Sequence, residues 1–338
     1  MKCMQNLESV VLTGTEWSSL RYHDILSDSL SMFTVNLDGT GHKDFEIGKD
    51  YEVDFKAGKI RRTDTSRIGN YADSPFYGCE IFNHEPYNGQ WGNYPFMVYV
   101  SYEFESDTNI LTCDEAKKIT LTGGYAGICD MPFFKKLLSG KEINYTVCGD
   151  SISTGCEAIL KEHAYFMRFA DKLERITDGK VNVINKAVGG ENSTAGAAHF
   201  SADIEDSKPD LVTIAYGVND MCVHGESQSS PSEVSAEKFH ENIAFMIETA
   251  QKSGADVILI TNVIPNPCWK FTSVNAGDYP QEMRKIAKQY KLPLADNWKL
   301  WESELKHGKT LHDLLLNDVN HPTSYGHGLY SQMLFTLI

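Results

Sequence analysis

The chain is short of positive charge: 31 Lys and Arg stand against 46 Asp and Glu in 338 residues, a formal net charge of −15. A field of that sign repels nucleic acid and anionic membrane surfaces, so neither is expected as a partner, and a neutral substrate is. Long hydrophobic runs are missing as well. Nothing approaches the roughly 18 apolar residues of a membrane span. Residues 1–8 lack the apolar stretch of a secretory signal. The eight cysteines (Cys3, Cys79, Cys113, Cys129, Cys148, Cys156, Cys222, Cys268) include no CxxC pair, so neither a zinc site nor a thioredoxin motif is indicated. Cys148 and Cys156 read as small apolar packing residues. A reducing, cytoplasmic setting is the expectation.

What remains is an ordinary globular composition, 41% apolar and 23% charged, with length enough for about two domains. Up to residue 138 the pattern is one of short alternating segments. Candidate strands fall at 9–12, 33–37, 51–55, 59–62, 97–104 and 118–121, with turn chemistry between them at Asp38-Gly39-Thr40-Gly41, Ala57-Gly58, Asn88-Gly89 and Gly123-Gly124. Many short strands and little helix predict a β-sandwich or jelly-roll domain over residues 1–138. One loop, residues 82–96, interleaves aromatics with amides and glycines. Its Trp91 is a candidate sugar-facing residue; the plainer alternative is a long loop pinned by its own aromatics.

From residue 139 the period changes. Apolar strands near 145–148, 181–185, 211–216, 256–261 and 292–296 alternate with helical patterns over 157–178, 236–253, 281–290 and 324–338. Near-continuous apolar strands with helical crossovers predict an α/β domain, residues 139–338, built on a buried parallel sheet.

Such sheets bind ligands at the carboxyl ends of their strands. There the sequence sets Gly149-Asp150-Ser151 after the first strand, Gly189-Gly190 after the second and Asn219 after the third. Asp318 and His321, three residues apart in Asp318-Val319-Asn320-His321-Pro322, share one side of a tight turn. A carboxylate can hold an imidazole by one ring nitrogen while the other faces Ser151. A serine hydroxyl is a poor nucleophile until such a base takes its proton. Gly190 N–H, the Asn219 amide and Ser151 N–H would then stabilise the oxyanion. Singly, each feature also describes a turn or a helix cap; jointly, in this order, they describe a nucleophilic active site. His224 and His327 are alternative histidines, the first in a polar loop and the second inside the closing helix pattern.

These four blocks, Gly149-Asp150-Ser151, Asn185-Lys186-Ala187-Val188-Gly189-Gly190, Gly217-Val218-Asn219-Asp220 and Asp318-Val319-Asn320-His321, resemble those of the SGNH (GDSL) hydrolase superfamily. The resemblance implies a flavodoxin-like three-layer α/β/α fold and ester hydrolysis without a cofactor. By motif position it makes Ser151 the nucleophile, Gly190 and Asn219 oxyanion donors, His321 the base and Asp318 its orienter. Gly189 stands where many members carry a small polar residue, which leaves the glycine donor open by one position. A β-rich domain ahead of such a unit also resembles two-domain carbohydrate acetylesterases of carbohydrate esterase family 2. The expected activity is therefore removal of an acetyl group from a carbohydrate, small molecule or oligosaccharide. Trp269, Trp298 and Trp301 are candidate rim residues, or equally core residues. The rivals are a lipase or thioesterase for longer acyl chains, and a carbohydrate-binding protein with a vestigial hydrolase unit.

Overall fold

The computed structural model describes residues 1–87 and 92–338. Its first part is antiparallel. Strands β1 (Lys2–Val11), β2 (Ser18–Ser19), β3 (Ser31–Thr34), β4 (Lys43–Asp44), β5 (Tyr51–Asp54), β6 (Lys59–Arg62) and β7 (Met97–Glu105) form two sheets, ordered β1-β7-β3-β4 and β2-β6-β5. Val10, Leu12, Met32, Ile60, Val98, Val100 and Phe104 pack between them as a core of their own.

Helices α1 (Thr112–Gly123) and α2 (Pro132–Leu138) follow. The strand expected at 118–121 is therefore the end of a helix. Thr112, Ala116 and Thr120 are buried at a spacing of four, and Gly124 closes α1 in the left-handed region at φ 66°. That stripe outweighs the local β-branched residues. Antiparallel and parallel sheets lie on either side of residue 138, yet the second core reaches back across that position. Ala116, Ile128, Phe133 and Leu137 belong to it.

The remainder runs β8 (Glu142–Gly149), α3 (Ser151–Thr154), α4 (Tyr165–Ile176), β9 (Lys180–Asn185), α5 (Ser193–Ser207), β10 (Leu211–Ala215), α6 (Ala236–Lys252), β11 (Asp256–Ile260), α7 (Asp278–Tyr290), β12 (Leu294–Ala295), α8 (Asn297–Lys306), α9 (Leu311–Leu314) and α10 (Ser324–Phe335). The five strands are parallel, in the order β12-β11-β10-β8-β9. This is the flavodoxin-like order, with its switch point between β8 and β10. Every residue of β10 is buried, as a strand covered on both faces requires. Helices α5, α6 and α7 pack side by side along one face, and α4, α10, α8 and α1 group together on the other.

Two helices carry weak sequence signals and were not expected. In α5 the buried Gly196, Phe200 and Ile204 make a thin stripe; the usable sign was Asn192, whose side chain accepts from Thr194 N and Ala195 N. In α8 the cap is Asp296, and the buried face includes Glu304. The helix expected from 157 begins only at Tyr165, because Gly155 (φ 87°) and Glu157 (φ 65°) are both left-handed.

The two parts are joined by buried charge. Lys309, whose side chain is 0% exposed, places Nζ 2.9 Å from Glu8 Oε1 and donates to Ser9 O at 2.8 Å. Burial alone would lower the Lys309 pKa, but the Asp313 and Glu8 carboxylates outweigh it and hold the ammonium above the usual lysine range. Beside this pair, Arg21 Nε donates to Glu304 Oε1 at 2.9 Å, and Tyr325 OH donates to Glu304 Oε2 at 2.7 Å. Removing one member strands its partner in a dry site. Lys309→Met is expected to lower the unfolding free energy by about 3–5 kcal/mol in urea titrations, and a loss below about 1 kcal/mol would rule out the pair as a clamp.

Candidate active site

Strand β8 ends at the switch point, where Gly149 lies beside Ala215 of β10. Only glycine fits there: a Cβ on Gly149 would sit 2.5 Å from Ala215 O and 2.4 Å from Ser153 Oγ. The chain turns at once into α3, with Asp150 capping it by accepting from Ile152 N at 3.0 Å. Ser151 is thus the first residue of a helix, and its own N–H has no helical partner by position.

His321 arrives from the far end of the chain. Its turn is shaped by Asn317, whose Oδ1 accepts from Val319 N, Asn320 N and His321 N at 3.0, 2.9 and 2.8 Å. The ring is delivered with Nε2 2.8 Å from Ser151 Oγ. The two residues are 170 positions apart in sequence, and only tertiary packing brings them together.

Of the oxyanion candidates, the glycine pair lies beside the same serine through Gly189. The turn after β9 brings Gly189 close enough that a Cβ on it would lie 3.8 Å from Ser151 Cβ. Gly190, at φ 77°, needs the left-handed region. Neither Gly189 nor Gly190 donates its N–H to a protein acceptor among the described residues. Asn219 donates one amide N–H to Glu191 O at 3.0 Å, which fixes the plane of the amide and leaves a second N–H to use.

The carboxylate is where expectation and structure part. Asp318 does not touch His321. Its backbone is left-handed, φ 60°, and the side chain turns into the interior. There Oδ1 accepts from His312 Nδ1 (2.7 Å), Asn93 Nδ2 (3.2 Å) and Asn266 Nδ2 (3.3 Å), and Oδ2 accepts from Tyr71 OH (3.1 Å). Burial works against the His312 cation, but the Asp318 carboxylate prevails and raises its pKa. The carboxylate that reaches His321 is Glu157, with Oε1 3.1 Å from Nδ1. Sequence reasoning missed Glu157 because it read residues 157–178 as one helix, whereas residue 157 lies in a left-handed, irregular stretch before α4 begins at Tyr165.

The other histidines lie elsewhere. His327 is buried and contacts Cys156 O at 3.0 Å through Nε2, and burial pushes its pKa down to about 4. His224 is exposed and pairs with Glu233 at 3.2 Å. Of the tryptophans, Trp301 is fully buried under α10 neighbours and is no rim residue. Trp269, 8% exposed, lies edge-on to Phe271 and donates Nε1–H to His84 Nδ1 at 2.9 Å, so it clamps the 82–87 loop and presents little surface. Trp298 donates to Glu302. Trp91 lies outside the described residues. No helix among them is long and apolar enough to cross a membrane.

A serine hydroxyl thus faces an imidazole at the switch point of a five-stranded parallel sheet, an arrangement chemically suited to nucleophilic attack on an ester carbonyl. The profile of the GDSL-like Lipase/Acylhydrolase family matches residues 147–329, more than half of the chain, and the chain belongs to that family. "Uncharacterized lipoprotein YqeF" of Bacillus subtilis (strain 168) is 25% identical over 171 residues, 45% of this chain and 69% of that protein. Among solved structures, a two-domain esterase active on acetylated mannans is 21% identical, covering 60% of this chain and 51% of that one at a TM-score of 0.48. Axe2, an acetylxylan esterase from Geobacillus stearothermophilus, is 20% identical over 58% of this chain and 94% of that one, also at 0.48.

Asp150 and Asp220 make the stability of the fold sensitive to pH. Burial raises the Asp150 carboxyl to about 7 and the Asp220 carboxyl to about 6. An unfolded aspartate titrates near 3.8, so between about pH 4 and 7 the folded chain holds protons that the unfolded chain has lost, and stability falls as pH rises. Asp150→Asn keeps the cap and removes one of these groups. Chemical denaturation at about pH 4 and 7 is expected to show a smaller fall in the variant, and an undiminished fall would contradict the assignment.

Proposed function

We propose that the chain is a serine esterase that removes a small acyl group, acetyl, from a carbohydrate. The observation carrying the chemistry is the 2.8 Å approach of Ser151 Oγ to His321 Nε2. In this scheme Ser151 attacks the ester carbonyl as His321 Nε2 takes its proton. The carbonyl oxygen becomes an oxyanion held by Ser151 N–H, Gly190 N–H and the free Asn219 amide hydrogen. His321 then gives the proton to the departing sugar oxygen. A water, deprotonated by the same ring, splits the acyl-serine and releases the acid. Nothing in these steps calls for a metal or cofactor.

The carbohydrate assignment is supported by the net charge of −15, which favours neutral substrates over anionic lipids or carriers, and by the polar 82–87 loop tied to Trp269. We also propose residues 1–138 and 139–338 as the two domains, the first an accessory unit to the second.

Ser151→Ala is expected to abolish hydrolysis of nitrophenyl acetate while leaving the circular dichroism unchanged. Asn219→Ala is expected to cost about 10²–10³ in kcat, the usual loss for one oxyanion donor. Near-native turnover in the Ser151 variant would sink the assignment. For the substrate, nitrophenyl acetate, butyrate and octanoate are compared with acetate release from acetylated xylan and mannan oligosaccharides. A preference for acetyl with release from a glycan is the expected result; activity that rises with chain length and is absent on glycans would replace the carbohydrate with a lipid or thioester substrate.

A further inference from the structure

We infer that Glu157, in place of Asp318, is the carboxylate that positions His321 for the chemistry at Ser151, an inference that rests on the esterase reading above. Both ring nitrogens of His321 are engaged, Nε2 by the Ser151 hydroxyl at 2.8 Å and Nδ1 by Glu157 Oε1 at 3.1 Å. An ionised carboxylate only accepts, so Glu157 places the ring proton on Nδ1 and leaves the Nε2 lone pair facing Ser151 Oγ–H. When Nε2 takes the serine proton, the imidazolium forms against a negative charge already in place.

Asp318 is not available for this role. Four donors converge on its carboxylate, and Asn266 Nδ2 also grips its backbone carbonyl at 2.8 Å. Turning Asp318 toward His321 would leave those donors without their acceptor, three of them (Tyr71, Asn93 and Asn266) in a buried site. It is the keystone of the fold around residues 312–321, and its carboxylate is spent on that.

Glu157 shows the opposite economy. Its backbone is held at φ 65°, a conformation that is strained for a residue with a Cβ. The segment is kept there by Gly155, left-handed at φ 87°, and by Ile159 N donating to Ser324 Oγ at 2.9 Å. The second oxygen, Oε2, is buried with no hydrogen-bond partner among the described residues. Glu157 lines a small cleft with Asn36, Met97, Tyr99, Ile159 and Leu316. A carboxylate serving only the fold would have both oxygens satisfied, as Asp318 does. The backbone of Asp318 is just as left-handed, at φ 60°, so the difference lies in the carboxylates: both oxygens of Asp318 are taken by the fold, whereas Glu157 gives one to His321 and leaves the other without a partner. Two residues of that cleft, Met97 and Tyr99, come from β7, so the antiparallel part of the chain lines the cleft beside the carboxylate that orients the base. The titratable groups facing this pair are Tyr99 from β7, Asp150 ahead of α3 and His327 from α10.

The test is steady-state kinetics of the full chain on nitrophenyl acetate, with Tm alongside, for Ser151→Ala, Glu157→Gln, Glu157→Asp and Asp318→Asn. Glu157→Gln is expected to lower kcat about 10³–10⁴-fold with KM within about threefold and Tm unchanged, as when a triad carboxylate becomes an amide. Glu157→Asp, which keeps the charge, is expected to recover part of that loss. Asp318→Asn is expected to lower Tm and to keep kcat within about tenfold. With Ser151→Ala inactive, a kcat within about tenfold of native in Glu157→Gln would overturn the role of Glu157 and leave the esterase reading standing. A thousandfold loss in Asp318→Asn at unchanged Tm would return the role to Asp318. An active Ser151→Ala would remove both.

Discussion

The buried charges between the antiparallel sheets and the last quarter of the chain are the constraint on which the rest depends. Glu8, Glu304 and Lys309 are all out of water. Charges in such a place are tolerable only when their lone pairs and protons meet partners at good geometry, so the arrangement admits little sliding. Glu8 answers Lys309 and the Arg21 backbone, and Glu304 answers Arg21, Thr112 and Tyr325. The same seam continues through neutral groups: Ser9 Oγ donates to Asp313 O, and Val11 N donates to Asp313 Oδ1 at 2.9 Å. Strand β1 thereby sets the position of residues 304–325, and that segment carries His321.

From this anchoring follows the precision of the histidine. The turn from 317 to 321 is built twice over, internally by the Asn317 side chain and externally by the donors that converge on Asp318. One of those donors, Asn93, comes from the region before β7 and also bonds Leu315 O and His312 O. Tyr71, another, comes from between β6 and β7. The antiparallel part therefore braces the loop that carries His321, and Met97 and Tyr99 of β7 line the cleft beside Glu157. The serine, by contrast, needs only the parallel sheet, because β8 and the glycine at its end deliver it whatever covers the opposite side.

The parallel sheet was legible because burial on both faces writes itself into composition. The expected strand at 211–216 is Leu211–Ala215, and that at 256–261 is Asp256–Ile260. The serine, the glycine pair and Asn219 were legible because strand ends are local features. The missed elements are those where local preference lost to contacts. Residues 118–121 favour a strand by type but belong to a helix whose buried stripe faces the second core. In α5 the stripe is made of small residues, so its apolar signal is faint although its packing is complete.

The limit of the sequence is clearest at the carboxylates. From residue types and spacing alone it determined a parallel α/β unit, a serine at the end of its first strand, a glycine pair and an asparagine at the next two strand ends, and a histidine near the end of the chain to face the serine. Two acidic residues were within reach of that base, Asp318 three positions before it and Glu157 six positions after the serine. Nearness along the chain favours Asp318. Tertiary structure decided otherwise, because a left-handed backbone at Asp318 aims its side chain at four donors, three of them buried, while a left-handed backbone at Glu157 aims its side chain at His321. A dihedral angle enforced by distant packing leaves no periodic trace in the residues themselves, and for that reason only the folded chain distinguishes the two.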